Sequence, residues 1–260
     1  MGLYIKYFSM HLKSAMEHKT SFILTALGQG MTTLFSFFSI YFLFDRFGHI
    51  KGYSFNEVLL CFSTIFMAFA LAECVSRGFD TFGSLIGNGQ FDRIMVRPRH
   101  EILQVLGTRM ELTKIGRLLQ ALFVLIYAVI NGGVKWDIGK ALTLCFMIIG
   151  GVILFSGLFM IYASICFFTL EGLEFMNIFT DGGREIAQYP LDIYKDWVLK
   201  FFTFFIPLAW VNYYPFLYLI DKNTLSKELS MLIPLGTLLF LIPCYGLWRL
   251  GVKHYQSTGS

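Results

Sequence analysis

Charge is scarce in this sequence. Asp, Glu, Lys and Arg make up 15% of its 260 residues, where a soluble domain carries about 25%. Residues 21–44 contain no charge at all. Acids at the centre of the apolar runs are missing, which argues against a carrier driven by protons or sodium and against a selective ion pore. Glu57 and Glu73 sit near the ends of one run and read as interface anchors. Histidine is equally sparse: His11, His18, His49, His100 and His254 all lie outside the apolar runs. An intramembrane Ser–His hydrolase or a histidine-ligated metalloenzyme therefore lacks its parts. No HExxH or GxSxG string occurs, and Gly28-Gln29-Gly30 lacks the lysine that a phosphate-binding loop requires. Cys61, Cys74, Cys145, Cys166 and Cys244 form no CxxC pair. They read as small buried hydrophobes, with neither a disulfide nor a metal expected. No catalytic, cofactor-binding or metal-binding residue is assigned. If ATP powers this protein, another chain binds it.

What the sequence has is apolar surface: 56% hydrophobic and 18% aromatic residues, with a mean hydropathy of +0.62. These residues fall in long runs, so the expected solvent is the bilayer and the expected class is an all-α polytopic membrane protein in one domain. The net charge of +4 does not point to nucleic acid, because the bases lie between the runs, as cytoplasmic loops require. Spans are expected at about 21–44, 55–76, 118–134, 141–168 and 230–248, with one more between them. The first run exceeds a signal-peptide core and is expected to stay in the membrane. Residues 77–117 carry Arg77, Arg93, Arg97, Arg99, Arg109, Lys114 and Arg117. No other loop is so basic, which places it, and with it both termini, in the cytoplasm. Residues 2–19 place Ile5, Phe8, Leu12 and Met16 on one helical face, with Lys6, Lys13 and Glu17 opposite. That pattern predicts a helix lying in the membrane interface over about 1–20.

Two arrangements fit 171–220. In one, 171–197 is a cytoplasmic loop and 198–220 is the fifth span, as hydropathy favours. In the other, about 171–188 is a weak span, and 190–220 forms short helices that dip into the outer leaflet around Pro190, Pro207 and Pro215. Both give six crossings.

The basic stretch contains Gly89-Gln90-Phe91-Asp92-Arg93-Ile94-Met95-Val96-Arg97-Pro98. It reads as a turn followed by a short helix with Phe91, Ile94 and Met95 on one side, ended by Pro98. A short, rigid, apolar and basic knob of this kind suits a groove on a cytoplasmic partner; the bland alternative is a basic loop at anionic lipid heads. At this point the sequence resembles the permeases of type 2 ABC exporters. Gly89, Phe91, Asp92, Arg93, Arg97 and Pro98 carry the resemblance. So do Tyr189-Pro190, Pro207, Trp210, Tyr214-Pro215 and the tail from Trp248 to Ser257.

The resemblance implies a six-span permease in the plasma membrane, working as a pair with an identical or related permease. Two separate ATPase subunits would bind ATP and Mg, and membrane lipids would surround the pair. It implies that Gly89, Phe91, Asp92, Arg93, Ile94, Met95, Arg97 and Pro98 form the ATPase-coupling helix. It also implies that Tyr189, Pro190, Pro207, Trp210, Tyr214 and Pro215 belong to re-entrant helices at an outer gate, which favours the second arrangement. Asp181, Arg184 and Glu185 would then lie within a span and need to pair with one another. The cargo implied is hydrophobic or amphiphilic. The alternatives are an ATP-independent carrier and a lipid-acting membrane enzyme, for which Glu171 and Glu174 are the one close acidic pair.

Overall fold

The computed structural model describes residues 2–169, 174–222 and 225–256. Among them are helices and turns and no strand, with one isolated bridge between Ile50 and Tyr53. Five segments are long and apolar enough to cross a membrane: Lys19–Phe47, Phe55–Gly87, Leu112–Asn131, Ile138–Thr169 and Lys227–His254.

Helix α1 (Gly2–Glu17) leads into α2 (Lys19–Phe47). Tyr4, Tyr7 and His11 turn α1 towards the body of the protein. The Tyr4 hydroxyl donates to the Val75 carbonyl at 2.8 Å, and a His11 ring nitrogen lies 3.0 Å from the Gly107 carbonyl. Ile5, Phe8, Leu12 and Met16 are left exposed on the other side.

The central helix is α3 (Phe55–Asp80), whose residues are mostly buried. It starts on a capping box in which Ser54 and Glu57 each accept from the other's backbone N–H, an arrangement worth about 1 kcal/mol. Short helices α4 (Phe82–Gly87), α5 (Gln90–Met95) and α6 (Glu101–Thr108) follow. Thus 82–108, part of the expected polar loop, is folded, and Arg77 still belongs to α3. Helix α7 (Ile115–Asn131) ends sooner than the apolar run, because Gly132 and Gly133 (φ +66°) turn the chain. Helix α8 (Ile138–Thr169) packs along α3. Its Gly150 and Gly151 bring Pro234, Ala68 and Val211 against the helix backbone, where any Cβ would collide.

The stretch 198–220 is not one helix, which corrects the arrangement that hydropathy favours. After a 3-10 turn at Glu174–Met176, α9 (Asn177–Ala187) is followed by α10 (Asp196–Phe204), α11 (Leu208–Asn212) and α12 (Tyr214–Leu219). Pro207 has no N–H to continue α10, and Pro215 sits in the first turn of α12, where proline is tolerated. Helix α9 runs antiparallel to α3: Arg184 lies over Phe66 and Phe69, Ala187 meets Cys61, and Asp192 meets Tyr53. The chain later returns to that same end, where Lys222 reaches Glu57 and Asp221 reaches Lys140. The last helices are α13 (Lys227–Leu232) and α14 (Thr237–His254).

Candidate functional site

The Gly89–Pro98 segment folds as the middle of a helical hairpin, α4–α5–α6, at the end of α3. Gly89 makes the turn at φ +63°, a left-handed conformation that glycine adopts without strain. A helix turns by about 100° per residue, so Ile94 and Met95 flank Phe91 rather than lining up with it. The structure divides them: Phe91 and Ile94 are buried, whereas Met95 is exposed with Arg93, Val96, Arg97, Pro98 and Arg99. The expected apolar side of the knob is thus spent on its own foundation. What projects is basic, with Met95 and Val96 beside the arginines. Gln104 of α6 fixes this tip from below, donating to the Ile94 carbonyl at 3.2 Å and the Arg99 carbonyl at 3.0 Å.

The foundation is a cage of aromatic rings. Phe91 stands edge-on to Phe82 at 5.2 Å, to Phe167 of α8 at 5.3 Å and to Tyr255 at 5.0 Å. Trp248 of α14 closes the cage against Phe79, Phe82 and Phe167. Ring pairs of this geometry are worth about 0.5–1.5 kcal/mol each beyond the area they bury. The Tyr255 hydroxyl donates to the Asp92 carboxylate at 2.9 Å. Burial and the Asp92 contact push the Tyr255 phenol up to about 12. Asp92, expected on the working surface, is therefore engaged with the protein's own tail.

A second charged group lies beside the hairpin. Glu73, expected at an interface, is 2% exposed and held by Lys114 at 3.0 Å, Arg117 at 3.0 Å and Arg77 at 3.6 Å. Glu111 joins Arg77, Lys114 and Arg109 to the same network, and Gln29 of α2 accepts from Lys114. The i,i+4 pair Glu73–Arg77 and the i,i+3 pair Lys114–Arg117 were the available signal, since each presents its charges on one helix face.

At the opposite end, Pro190, Pro207 and Pro215 are buried, and Tyr189, Trp210 and Tyr214 are partly buried. Trp210 packs on Gly236, and the Tyr214 hydroxyl lies 3.5 Å from that of Thr203. Asn212 connects the elements. Its side-chain amide donates to the Ala187 carbonyl at 2.6 Å and to the Cys61 carbonyl at 3.1 Å, tying α9 and α11 to α3. Arg184 binds both neighbouring acids, Asp181 at 3.2 Å and Glu185 at 2.6 Å. Its guanidinium covers Phe66 and Phe69 at 4.9 and 4.7 Å. Glu171 and the Glu174 side chain lie outside the described residues.

Between α2 and α7 lies an apolar cleft of about 440 Å³ lined by Leu34, Phe37, Phe38, Tyr41 and Phe123. Among the described residues, no cluster of three His, Cys, Asp or Glu is placed to hold a metal, and the five cysteines are unpaired thiols.

Residues 31–259 match a family model described as "ABC-2 family transporter protein". No curated protein matches the chain, and no solved structure does.

Proposed function

The chain belongs to the ABC-2 family of transporter proteins and is a membrane permease component of an ABC transporter; from that premise we propose that it is the permease of an ATP-driven exporter, coupled to its ATPase through the α4–α6 hairpin. The observation that carries this reading is the exposed tip of Arg93 and Met95–Arg99, braced by Gln104 and seated on buried Phe91 and Ile94. A tip that is rigid, basic and edged by Met95 and Val96 suits insertion into a groove on a cytoplasmic ATPase. Two such ATPases, each binding Mg-ATP, would serve a pair of permeases, identical or related, in the plasma membrane with both termini cytoplasmic. ATP-driven closure would shift the docked hairpins, and the packed helices would carry the motion as rigid bodies to open an outward cleft.

In this reading about 171–188, described from Glu174 onward, is the fifth of six crossings. Its ion-paired charges and the contacts of Asp192 near the start of α3 support that. Residues 190–220 would form the re-entrant outer gate, with α1 in the interface. A hydrophobic or amphiphilic cargo suits the apolar, aromatic cleft beside α2. The test is co-purification from native membranes. A tightly bound ATPase, whose transport-stimulated hydrolysis is lost in an Arg93→Ala/Arg97→Ala variant, supports the reading. Intact permease that brings no ATPase overturns it.

A further inference from the structure

The hairpin does not rest on α3 alone. The end of α14 meets it at three separate places. Trp248, fully buried, lies 5.1 Å from the Phe82 ring and 6.3 Å from Phe91. Arg249 reaches Glu101 at the start of α6, 3.6 Å away. Beyond the helix, the backbone at Tyr255 becomes extended (φ −62°, ψ 128°). That change of direction lays the Tyr255 ring against Phe91 at 5.0 Å and Phe167 at 5.9 Å, with its hydroxyl on Asp92. Gly251 makes the approach possible, because a Cβ there would enter the Phe167 ring.

We propose that the tail after the last span is the second half of the hairpin's seat, and that Tyr255 is a positioning residue for coupling, holding α5 through Phe91 and Asp92. The inference rests on the hairpin being the ATPase-docking element. Its physical basis is the direction of force. A push on the exposed face of α5 is resisted on the opposite face by rings that belong to α8 and α14. Motion of the tip therefore moves two long helices. With Tyr255 absent, Phe91 loses one of its walls, Asp92 loses the phenol, and α5 is held to α14 only through Trp248 and the Arg249–Glu101 pair, so it can tilt further before α14 moves.

The test uses the full permease–ATPase assembly with Tyr255→Phe, Tyr255→Ala, Asp92→Asn and the Tyr255→Phe/Asp92→Asn double variant. Expected is unchanged co-purification of the ATPase and an unchanged KM for Mg-ATP. The transport-stimulated kcat should fall roughly fivefold in Tyr255→Phe, the scale of one lost hydrogen bond, and further in Tyr255→Ala. The double variant should lose less than the product of the two single losses, because both act on the same hydrogen bond, which Asp92→Asn weakens by replacing a carboxylate acceptor with a neutral amide oxygen. A tail with a merely structural role would instead lower the amount of assembly and leave kcat per complex alone. Wild-type stimulated kcat in both Tyr255→Phe and Asp92→Asn overturns the proposal, even if Tyr255→Ala fails to insert. Absence of bound ATPase in the wild type overturns the underlying functional reading instead, so the two failures are separable.

Discussion

Arg117 of α7 donates to the Glu73 carboxylate of α3 at 3.0 Å, while Lys114 and Arg77 hold the other oxygen of the same group. Glu73 is 2% exposed and the Lys114 side chain 8%, so the pair is shielded from water and salt. Removing one member of a buried pair strands the rest, at a cost of about 3–5 kcal/mol. Glu73→Ala is therefore expected to lower the thermal stability of the purified permease sharply, and Arg109→Ala, whose side chain is 56% exposed, to change it by no more than about 1 kcal/mol. Equal melting temperatures for the two variants would contradict the assignment of Glu73 as the centre of this network.

Phe91 and Met95 separate stability from coupling. Phe91→Ala empties a fully buried site and should cost about 3–5 kcal/mol. Met95→Ala, on the exposed tip, should leave the melting temperature within error and reduce stimulated ATP hydrolysis. Thermal melts and hydrolysis assays on the same preparations distinguish the two effects. A destabilised Met95→Ala would mean that the tip packs internally.

Asn212 is expected to keep Cys61 covered. Its amide satisfies the Ala187 carbonyl at the end of α9 and touches the Cys61 sulfur at 3.0 Å. Asn212→Ala leaves that carbonyl only the weak Cys61 thiol at 3.6 Å, a loss of about 1–3 kcal/mol. The local consequence is faster alkylation of Cys61 by a membrane-permeant maleimide. Unchanged Cys61 labelling would show that α11 is held by packing alone.

The Tyr255 clasp has a defined pH dependence. The phenol pKa rises from 10.0 to about 12, through burial and then the Asp92 contact. A raised pKa means that the neutral phenol is the favoured form in the folded protein. Its contribution is complete below pH 10.0 and is lost as pH climbs through about 12. Tyrosinate absorbance of the wild type minus that of Tyr255→Phe should thus show one group ionising later than a free tyrosine. A difference curve centred at the ordinary value would rule out the hydrogen bond.

Apolar runs alone locate the five long helices, because burial in lipid requires little more than length and composition. The fifth region defeats the same reasoning. Hydropathy sums side chains and ignores the backbone, so 198–220 outranks 171–188 although Pro207 and Pro215 break it. Asp181, Arg184 and Glu185 count as three penalties although they form one compact ion triplet. The hairpin was legible from Gly89 to Pro98, but its division into an exposed and a buried face was not. Which side of a six-residue helix is covered depends on Phe167, Trp248 and Tyr255, far away in sequence. Glu73 was misplaced for a similar reason: an acid near a span end looks like an anchor until the cations of the next helix are known to fold over it.

The length of α8 carries a mechanical consequence. Its 32 residues extend about 48 Å, and a tilt of about 20° still leaves about 45 Å, well beyond the hydrocarbon thickness of about 30 Å. Lys140, near one end, is tied to Asp221, and Phe167, near the other, belongs to the aromatic seat. With the surplus at the Phe167 end, the aromatic seat would stand clear of the acyl chains. A load applied there would meet water rather than lipid, and the protruding rod would gain leverage over its membrane-embedded part without having to deform the bilayer.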